Sequence, residues 1–129
     1  MKYADIQGEL NTQWNAGVIA KPTMYDKQRR DVVLYPNTLF IEIMPSKLEV
    51  KSAQNKAYIK KTTFLIKIIA NTLSDLEKFR REIGRIITSK SVSGGTWGIE
   101  SILEPEPTAK RFNQTIIGKE RIFTRYDEL

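Results

Sequence analysis

The side chains best equipped for chemistry in this chain are cationic. Between Ser46 and Lys61, the residues Lys47, Lys51, Lys56, Lys60 and Lys61 face a single acid, Glu49, and Tyr58 sits among them. Arg29 and Arg30 form a second basic run. Such residues can neutralise phosphates, and a basic strand carrying an aromatic can become a stacking platform for bases. The plainer alternative is a solvated surface. Histidine and cysteine are both absent. That removes zinc fingers, thiol catalysis, disulfide frameworks and every Ser-His-Asp arrangement, together with the easiest general base at neutral pH. Carboxylates, Lys and Tyr remain as routes to catalysis. Glu104 and Glu106 alternate with Pro105 and Pro107 and could point the same way, but that stretch reads as an exposed loop. Asp26 and Asp31 flank the arginine run and balance it. No cluster of acids has metal-ligand spacing. Gly94-Gly95 lacks the Lys-Ser/Thr of a phosphate loop. The expectation is a non-enzymatic protein with no cofactor.

The formal net charge of +6 suggests an acidic partner, such as nucleic acid, a phosphate-rich surface or an acidic protein, or else plain solubility. A length of 129 residues with 40% hydrophobic side chains predicts one domain, 1–129, with a single core. No run of about 18 apolar residues predicts a membrane span. The first residues lack the apolar stretch of a signal peptide, so a cytoplasmic location is expected.

Positioning those side chains falls to a mixed set of elements. Tyr3, Ile6, Leu10 and Trp14 recur at helical spacing, with Gly17 as a stop. Val18–Lys21 reads as a short strand ended by Pro22, and Thr23–Asp31 as a polar loop. Thr38–Met44 alternates as a strand, and Val32–Tyr35 reads as a possible separate one. Ser46 to Ala70 reads as a long β-hairpin with its tip near Ser52–Asn55, its basic distal part projecting from the body. In TFLIKIIA both faces are apolar, as in a central strand. The pattern then switches to a helix whose buried stripe is Leu76, Phe79, Ile83, Ile86 and Ile87. Ser74 and Glu77 have capping-box spacing, Glu77 and Arg81 can pair, and Gly84 suggests close packing on the sheet. A strand follows at Trp97–Ile102, and Thr115–Ile117 with Glu120–Tyr126 gives the last strand or two, with Phe40, Phe64, Trp97 and Phe123 expected in the core. The predicted class is α+β: one mixed or mainly antiparallel sheet, two packed helices and a long projecting hairpin.

The N-terminal helix through Ile6, Leu10 and Trp14, the strand TFLIKIIA leading into TLSDLEKFRREIGRII, and the final ERIFTRY appear in an order that resembles tail-terminator and tail-completion proteins of tailed viruses and proviruses. The resemblance spans nearly the whole length and brings no catalytic residues. It implies a ring of like subunits at the head-proximal end of a tail, joined by strands or extended loops, with other tail or connector proteins as partners and the virion as final location. It also implies that the hairpin from Lys47 to Lys61 makes ring contacts or lines the lumen through which DNA passes. The alternative is a basic nucleic-acid-binding α+β domain.

Overall fold

Fourteen consecutive residues, Ala57–Ala70, form the strand β4, and most of the architecture follows from its alternation. In the computed structural model, which describes residues 1–27, 37–52, 57–92, 94–108 and 110–125, Phe64, Ile66, Ile68 and Ala70 are fully buried beneath two helices. On the opposite face Ile69 is buried, while Leu65 and Lys67 are half-buried. The long C-terminal strand β8 (Arg111–Arg125) pairs antiparallel with all of β4, from Ala57↔Arg125 to Ala70↔Phe112. The two segments expected to give one strand or two therefore form one. Gly118 and Lys119 interrupt the apolar pattern between them, but the backbone does not break. An added Cβ on Gly118 would lie 2.3 Å from the ring of Phe64, its cross-strand partner. The ring occupies the room that the missing side chain leaves.

Along one side of β4 lie β2 (Thr38–Ile43), opposite Phe64–Ile69, and β3 (Lys47–Ser52), opposite Ala57–Lys61. The hairpin of β3 and β4 is thus present, while its tip at 53–56 lies outside the described residues. On the far side of β8 come β6 (Gly95–Ile102), the short β5 (Ser91–Val92) and β7 (Glu106–Thr108). The first strand, β1 (Thr23–Asp26), runs parallel to β2, which makes an eight-stranded sheet of mixed sense. The expected strand at Val18–Lys21 is instead a turn and extended chain, and the strand falls in the stretch read as loop. An edge strand needs main-chain bonds and little apolar surface, so its polar composition conceals it. Tyr25 supplies a stacked contact with Phe40, ring centroids 5.9 Å apart. The possible strand at Val32–Tyr35 lies outside the described residues.

Helix α1 (Tyr3–Gln13) ends at Trp14, before Gly17, and buries Ile6 and Leu10. Trp14 fixes the exit by donating its indole N–H to the Ile19 carbonyl at 2.9 Å and packing on Phe79. Helix α2 (Leu73–Ser89) buries all five residues of the expected stripe. Burial of such a side chain stabilises by about 1.5–3 kcal/mol relative to exposure. The Arg81–Glu77 pair closes at 2.6 Å. Two details differ from expectation. The cap is Thr72, whose hydroxyl accepts the Asp75 N–H at 3.1 Å, because the helix begins two residues before the Ser74 register would have it. Gly84 packs against nothing: an added Cβ there meets no atom within 4 Å.

Candidate assembly and nucleic-acid interface

Side chains alternate across a strand and cross-strand partners share a face, so the pairing register sorts the basic residues. Lys47 faces Lys61 on β4, and Lys61 faces Arg121 on β8. These three cations stand abreast on the face without helices. Like charges directly opposite one another destabilise a sheet unless an anion compensates. Glu49, one pleat along β3, accepts from the Lys61 Nζ at 2.8 Å. In the next row Lys119 lies between Thr63 and Gly98 and pairs with Glu100. Lys47 and Arg121 are exposed.

Two adjoining hollows share Lys119. One, of about 440 Å³, lies against Lys47, Glu49, Lys61 and Thr63. The other, of about 280 Å³, lies against Thr96, Gly98, Glu100 and Arg121. Gly98 carries no side chain and a Cβ there would meet nothing within 4 Å, which leaves the second hollow open. The surface can hold an extended anion through charge and hydroxyl groups. Among the described residues no group of three or more His, Cys, Asp or Glu is placed to hold a metal ion.

The residues singled out in the sequence divide between two faces. Lys47 and Lys61 join the row just described. Tyr58 and Lys60 lie on the face that carries the helices, both half-buried. Lys51 is in β3, where only its backbone is described, and Lys56, Arg29 and Arg30 lie outside the described residues. Sequence reasoning missed Lys119 and Arg121. Their signal was a period of two within Gly118–Phe123, readable only once the β4–β8 register is known. Phe123, expected in the core, is 56% exposed on this face beside its partner Ile59. Its register with Ile59 places it on the face without helices.

The shifted ionisations lie elsewhere, where α1 meets α2. Glu82 is buried, and its carboxyl is held below the ordinary carboxylate range by the hydrogen bond from Arg85, with a further bond from the Asn15 N–H at 2.9 Å; burial opposes both. The same bond raises Arg85. Arg85 also donates to the Gln13 carbonyl at 2.6 Å, so the pair clasps the end of α1. Tyr3 is raised by burial and, secondarily, by the charge of Asp26. Glu82 and Arg85 hold the two helices together, Tyr3 at the start of α1 feels Asp26 of β1, and none of the three belongs to the basic row.

No protein-family model and no curated protein matches the chain. Among solved structures it is similar to a chain described as "Virion of native gene transfer agent (GTA) particle". The TM-score is 0.58 at 12% identity, and the match covers 92% of this chain and 92% of that one. At that identity the likeness is one of fold.

Proposed function

We propose that this protein is a non-enzymatic structural component of a phage-like virion, which completes the tail by forming a ring at the head–tail junction. The observation that carries the reading is the fold shared with a virion component over nearly the full length of both chains. The order of elements supports the finer role, since it resembles tail-completion proteins throughout. In a ring of such subunits, Lys47, Lys61, Lys119 and Arg121 form the surface that meets passing DNA.

The test is absolute solution mass by light scattering over a range of concentration and salt. A defined multimer that persists at high salt is the expected result. A strict monomer at every concentration would remove the ring. The second reading, a basic nucleic-acid-binding domain, is favoured by the row Lys47–Lys61–Arg121. It requires a monomer that binds DNA with an affinity falling steeply as salt rises.

A further inference from the structure

Among the described residues the sheet has two uncovered edges that differ in chemistry. On one side β1 covers β2, but no described strand pairs with the outer edge of β3. On the other side β5 covers only Gly95 and Thr96, so among the described residues no strand pairs with the outer edge of β6 from Trp97 to Ile102. An exposed strand edge presents unpaired N–H and C=O groups and is a template for a further strand. Folded proteins usually blunt such an edge, and the bulge after Ile99 does so in part. Both edges also leave apolar side chains in water. Leu48 on β3 is 50% exposed, while Ile102 and Leu103 at the end of β6 are 47% and 49% exposed.

Charge distinguishes the two edges. Leu48 stands next to Lys47 and opposite Lys60. Ile102 and Leu103 stand among Glu100, Glu104 and Glu106, all exposed, with Lys110 and Arg111 closing the β7–β8 turn beyond. β3 carries Lys47 and Lys51 against Glu49 alone, whereas the open stretch of β6 carries Glu100 and no cation and is followed by Glu104 and Glu106, so two copies of either edge bring an excess of like charge together. Pairing β3 with β6 brings opposite charges and apolar side chains together. It also matches in length, since the six residues of β3 and the six from Trp97 to Ile102 each span roughly 20 Å. Leu48 and Ile102 both belong to the face that carries the helices, so a continuous sheet sets them on the same side.

We propose that this chain binds a second copy of itself head to tail, the free edge of β3 in one subunit adding to the open edge of β6 in the next. The contact is heterologous, and repetition of it closes a ring when the rotation allows. The inference rests on the ring reading above and assigns its interface. It also gives the basic hairpin a role in partner choice, because complementary charge chiefly sets specificity and register.

The experiment uses Leu48→Asp and Ile102→Asp, each made in the full chain and checked for native circular dichroism and melting. Each variant alone should fall to the monomer mass. Mixed in equal amounts they should form a dimer and nothing larger, because one intact β3 edge and one intact β6 edge remain. Retention of the wild-type mass by either variant, or a mixture that stays monomeric, overturns the proposal. Should either variant fail to fold, Lys47→Glu and Glu104→Lys replace them. Each should weaken assembly, and both on one chain should restore it, since the edges are again complementary; no restoration overturns the proposal. A wild-type multimer indifferent to all these changes defeats this interface alone. A wild type that is monomeric throughout defeats the ring as well.

Discussion

Glu82 shows how one buried charge orders two helices. Its carboxylate accepts from Arg85 on its own helix and from the Asn15 N–H just past α1. The folded-state pKa lies below the unfolded value. Its stabilisation is therefore complete above the ordinary carboxylate pKa and is lost as pH falls through the depressed folded value. Glu82→Gln should cost about 2 kcal/mol at neutral pH, the scale of a hydrogen bond to a charged group. It should also flatten the acid side of the stability curve, both readable from urea melts at several pH values. The glycines separate in the same way. Gly84→Ala should stabilise by up to about 1 kcal/mol, because a Cβ in α2 meets empty space and the unfolded chain loses freedom. Gly118→Ala should destabilise by about 1–3 kcal/mol, because its Cβ would overlap the Phe64 ring. Equal thermal shifts in the two variants would contradict this account.

Helix α2 is the element whose sequence is most nearly self-sufficient. Its apolar spacing, its N-terminal acid and its Glu77–Arg81 pair act within the helix and need no knowledge of the sheet. The spacing of Ser74 and Glu77 predicts the cap at Ser74, but Thr72 is also a capping residue. The extended chain leaving β4 settles the choice: Thr72 is the residue with β backbone angles. Thr72→Ala should cost about 1 kcal/mol, whereas Ser74→Ala should change stability by less than about 0.5 kcal/mol. Chemical denaturation of the two variants separates them, and reversed magnitudes would restore the Ser74 box. β8 is the contrary case. Its middle is polar and glycine-containing, and it holds together only because β4 on one side and β6 on the other satisfy its main chain.

Among the described residues one face of the sheet carries both helices and the other carries none; the second face buries Phe40 and Ile69 near β1 and concentrates charge around Lys61. Lys47, Lys61 and Arg121 come from positions far apart in the chain and meet in one row. If that row meets DNA, affinity for duplex DNA should fall as salt rises. Arg121→Glu should weaken binding without altering the fold. The slope of log affinity against log salt should become shallower by about 0.9 for each phosphate that is no longer neutralised. An unchanged slope, measured by fluorescence anisotropy, would place the DNA on another surface.

The α+β class, the two helices, the buried stripe of α2 and the two-faced alternation of β4 were determined by the sequence itself. Those features depend on side-chain period and on bonds between near neighbours, which any reading of spacing recovers. Which lysines share a face, why Phe123 is exposed, where β1 lies and which edges remain open were decided only by the tertiary structure. Each of these depends on strand register, and a shift of one residue moves every side chain to the opposite face. Tyr58, Lys60 and Lys61 are near neighbours in sequence, yet the pleat sends Lys61 to the face without helices beside Arg121, far along the chain, and keeps Tyr58 and Lys60 on the face that carries the helices.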